Sequence, residues 1–140
     1  MIVAGIDFGR KRIGLAISEG EAACPLETLE RRSVEQDLEA IRSRLCDRGA
    51  SMVVVGLPLS MDGTEGAIAI AAKAFAERVA DVTGLPVEMI DERLSSLEAD
   101  DRLRGLRVKK SSKKSARNAL AAALILETWL ERRRSAAARR

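Results

Sequence analysis

The first thirty residues break into short apolar runs whose spacing suits strands and not helices. "IVAGID" is nearly continuous in apolar character and reads as a buried strand. "RIGLAIS" sets Ile13, Leu15 and Ile17 against Gly14 and Ala16, a period of two, and reads as its hairpin partner across Arg10, Lys11 and Arg12. "PLETLER", after a loop over 19–23, supplies a third strand. The period then changes. Val34, Leu38, Ile41 and Leu45 follow at spacings of 4, 3 and 4, behind a capping-box pair, Ser33 and Gln36, and before Gly49. "SMVVVG" is a β-branched strand and "LPLSMDGTEG" a loop marked by Pro58 and Asp62-Gly63. A second helix is predicted over 64–82, closed by Gly84, and "PVEMIDE" is a fifth strand. Ser95 and Glu98 form another capping box, opening a short helix that ends near Gly105, and the last helix covers 115–134. A three-strand meander followed by helix and strand in alternation predicts a mixed α/β sheet covered by helices on both faces, with ligands beyond the strand ends.

Length supports one such unit. The 140 residues fit a single domain able to bury about two thirds of its unfolded surface. There is no basic leader with an apolar core and no run of the roughly 18 apolar residues a membrane span needs, so the chain is expected in the cytoplasm. Cys24 and Cys46 have no CxxC spacing and the sequence contains no His, which excludes Cys/His catalysis and the usual zinc sets.

Charge changes the picture more than composition does. Residues 1–101 hold 11 Lys/Arg and 19 Asp/Glu, a balance of −8, whereas residues 102–140 hold 13 and 2, a balance of +11. Arg107, Lys109, Lys110, Lys113, Lys114 and Arg117 are six cations in eleven residues with no acid among them. Those from Arg107 to Lys114 read as a basic loop before the last helix, and all six point to a polyanionic partner. Arg10, Lys11 and Arg12 form a second cluster at the hairpin turn. The aromatic residues are Phe8, Phe75 and Trp129, and the last two fall on predicted core stripes. Recognition is therefore expected to follow backbone charge and shape more than base stacking. Residues 132–140, "RRRSAAARR" without its neighbours, read as a basic disordered tail.

Two carboxylate positions carry the candidate chemistry. Asp7 lies between Ile6 and Phe8 at the end of a buried strand, where an isolated charge costs several kcal/mol or more unless it is paired, protonated or bound to metal. "MIDERLSS" ends the fifth strand in Asp91, Glu92 and Arg93, and strand geometry sends the two acids to opposite faces, so one of them faces the same point as Asp7.

"GIDFGRKRIGLAIS", "VVVGLPLSMDGTEG", "DERLSSLEA" and "AALILETWL" resemble, in order and over residues 2–131, the successive motifs of the YqgF family of small bacterial proteins. That family is described as Holliday junction resolvase-like or as nucleases of pre-16S rRNA. The resemblance implies a ribonuclease-H-like fold for a domain over 1–131, with five strands, the first three antiparallel. It also implies cleavage of phosphodiesters with Mg2+ or Mn2+. Such hydrolysis uses carboxylates that converge on two divalent cations about 4 Å apart. By resemblance, Asp7 and Glu92 are metal ligands, Asp91 supports Glu92, and Arg93 pairs with a carboxylate or the scissile phosphate. The family's third catalytic Asp aligns with Asn118, which brings an amide oxygen without charge. Helical spacing agrees with that place, since Asn118, Ala122, Ile125 and Trp129 recur at 4, 3 and 4 on the stripe expected to face the sheet. Asp62 and Glu19 are the acids considered as compensating ligands.

The function expected is a metal-dependent endonuclease of structured nucleic acid, acting in 16S rRNA 5′-end maturation and hence ribosome biogenesis. Two alternatives stay open: a catalytically weakened nucleic-acid-binding or ribosome-assembly module, and a resolvase of branched DNA. A branched substrate favours a symmetric dimer, whereas rRNA trimming is compatible with a monomer. "DFGRKRIG" also resembles the phosphate hairpin of actin-like and sugar-kinase ATPases, but those enclose nucleotide between two such domains and this chain has room for one.

Overall fold

The computed structural model describes residues 1–94 and 110–138, with side chains for 1–93 and 117–138. In chain order the elements are β1 (Val3–Phe8), β2 (Arg12–Glu19), β3 (Ala22–Glu30), α1 (Val34–Asp47), β4 (Met52–Leu57), α2 (Ala67–Thr83), β5 (Val87–Asp91), a 3-10 turn (Glu92–Leu94) and α3 (Lys110–Ala138). The strands form one sheet in the order β3-β2-β1-β4-β5. β1/β2 and β2/β3 are antiparallel, whereas β1/β4 and β4/β5 are parallel. This is the five-stranded mixed sheet expected from the sequence.

Alternation along the strands divides the core in two. Ala4, Ile6 and Phe8 of β1, Ile13, Leu15 and Ile17 of β2, and Val53 and Val55 of β4 pack on α1 and α2 through Leu38, Ile41, Leu45, Phe75 and Val79. The Phe8 and Phe75 rings lie 4.7 Å apart between centroids. The other residues of the same strands, Val3, Ala16, Met52 and Val54, pack with Ile90 on α3 through Ala122, Ala123, Ile125 and Leu126. Period two therefore sends Asp7, between Ile6 and Phe8, to the α3 face.

Glycine sets how closely α3 approaches. A Cβ on Gly14 would lie 1.9 Å from the Asn118 carbonyl oxygen, and one on Gly5 would lie 2.8 Å from that of Ala122 and 2.9 Å from Leu126 Cβ. Only residues without a side chain admit a helix backbone at that distance. The stripe beginning at Asn118 thus beds into a row of strand glycines.

Several boundaries differ from the sequence expectation. β3 starts at Ala22, because Gly20 at φ +61 makes a turn tight enough for Glu19 to pair with Ala22. α2 starts at Ala67, not at 64, because Thr64 is held in a turn by Asp62, and Gly66 is the N-cap. Gly84, left-handed at φ 70, closes it as expected. α1 carries its capping box, with the Gln36 N–H donating to Ser33 Oγ at 3.1 Å.

The largest differences concern α3. Residues 110–114, expected in a loop, are helical, in keeping with the good helix propensity of Lys and the absence of Gly or Pro. The tail expected to be disordered from 132 onward is helical to Ala138. Its Ala-rich composition favours that, Arg133 stacks 5.2 Å over the Trp129 ring, and Arg134 donates to the Glu21 carbonyl at 3.1 Å. The Ser95/Glu98 capping box and its short helix, with Arg107 and Lys109, lie outside the described residues. So do the side chains of Lys110, Lys113 and Lys114.

Candidate active site

Parallel pairing brings the C-terminal ends of β1, β4 and β5 to one edge of the sheet, the side on which open α/β sheets place ligands. Asp7 stands there on the α3 face. Glu92 is the first residue after β5 and hydrogen-bonds to Asp7. β4 lies between them and contributes Gly56, where a Cβ would sit 2.5 Å from Glu92 Oε1 and 2.5 Å from Ile125 Cδ1. The missing side chain of Gly56 is thus the passage through which Glu92 reaches across β4 to Asp7.

Two carboxyl groups in contact share a proton. Burial, then the neighbouring charge of Asp7 and the bond to it, push Glu92 from its ordinary 4.5 up to about 8. Burial also raises Asp7, and the bond from Glu92 partly offsets that. At neutral pH Glu92 therefore keeps its proton and donates it toward Asp7. This donor set suits a hard divalent cation, which would replace the proton, since Mg2+ is typically held by one or two carboxylates with water and substrate phosphate completing the shell.

Asn118 stands at the same edge. Its carbonyl packs on Gly14, and Gly14 is the cross-strand partner of Asp7, so the half-buried Asn118 is one strand away from the carboxylate. Among the described residues no group of three or more acids, Cys or His gathers where a metal ion could sit. The described donors that meet there are therefore the two carboxyl groups of Asp7 and Glu92, fewer than the two-cation expectation requires.

The supporting residues divide. Asp91 faces away from Asp7 and accepts from the Arg93 guanidinium through both oxygens, Nη2 donating to Oδ2 at 2.7 Å and Nε to Oδ1 at 3.1 Å. It also accepts the Arg93 backbone N–H at 2.9 Å, capping the 3-10 turn that begins at Glu92. The hydrogen bonds from Arg93 hold the Asp91 carboxyl below its ordinary value. Its Nη1 reaches the Met61 carbonyl at 3.2 Å and ties the β4–α2 loop to the site. Asp62 is exposed and turned onto its own loop, accepting from Thr64 N and Oγ1 at 3.0 and 2.7 Å. Glu19 is excluded as a compensating ligand: it ends β2 five residues beyond Gly14, about 16 Å along the strand at ~3.3 Å per residue.

Of the basic residues, Arg10 and Lys11 are exposed in the turn that follows Asp7, and Arg117 is exposed on α3 one residue before Asn118. Arg12 is engaged by Glu30 at 2.8 Å. Sequence reasoning missed what supports this turn. Asp37, 3% exposed, accepts the Arg32 N–H at 3.0 Å and Arg31 Nε at 3.4 Å. Arg31 in turn lies 4.7 Å over the Phe8 ring and donates to the Gly9 carbonyl at 3.4 Å. An acid in the first turn of a helix reads as helix-dipole decoration, which concealed this role for Asp37. Gly56 was missed as well, although a glycine closing a β-branched strand signals close approach.

The family model described as RuvX, Holliday junction resolvase, matches residues 1–132. The chain belongs to the RuvX family. This is the YqgF family of the sequence motifs. Relatives named as candidate pre-16S rRNA nucleases include one from Anaeromyxobacter sp. (strain Fw109-5), 47% identical over 92% of this chain and 96% of its own. Another, from Crocosphaera subtropica, is 41% identical over 94% and 93%. RuvC from T. thermophilus, solved in complex with a Holliday junction substrate, shares the fold at a TM-score of 0.61 and 22% identity, covering 89% of this RuvX chain and 91% of RuvC. The Fowlpox virus resolvase, solved with Holliday junction DNA, does so at 0.54 and 12% identity, over 94% and 97%. These likenesses show the ribonuclease-H-like fold. No described helix of the RuvX chain is long and apolar enough to cross a membrane.

Proposed function

We propose that this RuvX chain is a divalent-metal-dependent nuclease of structured nucleic acid, with the 16S rRNA precursor as its substrate. Asp7 and Glu92 hold the cation and the Asn118 amide oxygen supplements them. The observation that carries this reading is the half-buried Asp7–Glu92 pair, two carboxyl groups in hydrogen-bond contact across the gap at Gly56. Bound there, Mg2+ or Mn2+ supplies Lewis-acid polarisation of the phosphate and neutralises charge on the leaving oxygen. The chain's own residues do the rest. Asp7 and Glu92 give up their shared proton to make the site; the Asp91–Arg93 cap fixes the turn from which Glu92 projects. Arg10, Lys11 and Arg117 draw the backbone phosphates toward that edge.

Asn118 favours a second reading on a specific ground. With two charged ligands in place of three, cation affinity is reduced, and a chain that binds RNA while cutting it slowly serves as an assembly module. Single-turnover cleavage of a labelled 16S precursor and of a four-way DNA junction, with Mg2+ or Mn2+ titrated, separates the readings. Metal-dependent cutting of the precursor that disappears in Asp7→Ala supports the nuclease. Binding of both substrates with no cleavage at any metal concentration assigns the module, and preferential cutting of the junction assigns a resolvase.

A further inference from the structure

Among the described residues the buried polar side chains are Ser18 and Asp37, so Asp37 is the charged group that the described core encloses most completely. It belongs to the first turn of α1 and takes no part in the Asp7–Glu92 pair. A carboxylate taken out of water costs several kcal/mol unless it is paired. Asp37 meets that cost by accepting the Arg32 N–H at 3.0 Å and Arg31 Nε at 3.4 Å.

Arg31, held in this way, grips the β1–β2 turn at three points. Its backbone N–H donates to the Lys11 carbonyl at 2.9 Å, its Nη1 donates to the Gly9 carbonyl at 3.4 Å, and its guanidinium lies 4.7 Å over the Phe8 ring. Only a planar fork can stack, reach a carbonyl and meet a carboxylate at once, which Lys cannot do. The turn is also closed on itself. Gly9 N–H donates to the Arg12 carbonyl at 3.0 Å, and a Cβ on Gly9 would lie 2.6 Å from that oxygen. Arg12 is engaged by Glu30. Arg10 and Lys11 are left exposed, in no ion pair with a described residue, on a fixed backbone that follows directly on Asp7 and Phe8. Charges fixed before a ligand arrives lose less freedom on binding it.

We propose that the Asp37–Arg31 pair is a positioning device for nucleic-acid binding: it fixes the β1–β2 turn so that Arg10 and Lys11 meet backbone phosphates beside Asp7. The proposal rests on the nucleic-acid reading given above and does not require cleavage.

The test measures affinity of the full chain for an RNA stem-loop by fluorescence anisotropy, without divalent metal and across a salt series. The temperature is one at which circular dichroism shows each variant folded. Arg10→Ala/Lys11→Ala weakens binding and lowers the slope of log K against log salt by about 1 to 2. Asp37→Asn keeps an acceptor for the Arg32 N–H and loses the charge that holds Arg31. Removal of an acid would by charge alone tighten binding to RNA, whereas the positioning role predicts weakening by about threefold to tenfold, the scale of one hydrogen bond. Arg31→Lys keeps the charge without the fork and weakens binding likewise; it carries the test if Asp37→Asn does not fold. In the Arg10→Ala/Lys11→Ala background neither change has a further effect, because the cations to be positioned are gone.

Unchanged or tighter binding in Asp37→Asn overturns the positioning role. So does wild-type affinity in Arg31→Lys, or a full additional loss in the Arg10→Ala/Lys11→Ala background. Any of these, together with a loss in Arg10→Ala/Lys11→Ala itself, leaves the turn as a phosphate contact and removes the device. No loss in Arg10→Ala/Lys11→Ala removes the turn from RNA binding, and the device with it.

Discussion

Replacing Glu92 by Gln is expected to make the protein more stable above neutral pH. Glu92 binds its proton more tightly folded, at about 8, than its ordinary 4.5. Its stabilising contribution is therefore complete below pH 4.5 and is lost as pH rises through about 8, where two adjacent half-buried carboxylates must both carry charge. Fully expressed, that change in affinity corresponds to roughly 5 kcal/mol. Partial solvent access and relaxation of the pair reduce it to about 2 kcal/mol. For a chain of this size that is about 6–8 °C in Tm. Gln keeps a donor for Asp7 and has no proton to lose. Thermal melts followed by circular dichroism from pH 5 to pH 9 should show the wild-type Tm falling relative to Glu92→Gln by about that amount. Mg2+ added at pH 9 should restore the wild type and affect Glu92→Gln far less. Parallel Tm curves for the two proteins over this range would refute the shared-proton pair.

Other consequences follow from the same geometry. Gly14→Ala places a Cβ 1.9 Å from the Asn118 carbonyl, so α3 must lift from the sheet; a loss of about 3 kcal/mol or more is expected in urea unfolding. If position 118 ligates the cation as proposed, Asn118→Asp adds a third carboxylate and should lower the Mg2+ concentration for half-maximal cleavage by about tenfold or more, read in single-turnover assays across a metal titration.

Most of the scaffold was legible because apolar spacing specifies it directly. The period-two run of β2, the 4-3-4 spacing of α1 and the β-branched run of β4 each have one arrangement that buries them, and the order of elements then fixes which ends share an edge. Asp7 stood out for the same reason, as a charge where the pattern demands an apolar residue. What escaped depends on contacts across the sheet. That Glu92 shares a site with Asp7 was expected from the family resemblance, but the route it takes, through an absence at Gly56, a residue remote in sequence from both, was not. That Arg93 turns to Asp91 and the Met61 carbonyl, and that Asp37 is buried under Arg31, are choices among partners that the sequence offers equally. The extent of α3 was underestimated because a run of cations resembles a loop, whereas Lys and Ser tolerate a helix that packing further along holds in place.

The central claim, that Asp7 and Glu92 jointly hold a divalent cation in place of their proton, is tested most directly by Mn2+ titration at pH 7. Electron paramagnetic resonance reports free ion and a pH-stat reports released protons. The account predicts saturable binding to the wild type with release of about one proton per ion, and loss of both signals in Asp7→Ala. Binding of equal affinity in Asp7→Ala, or saturable binding with no proton released, would contradict it.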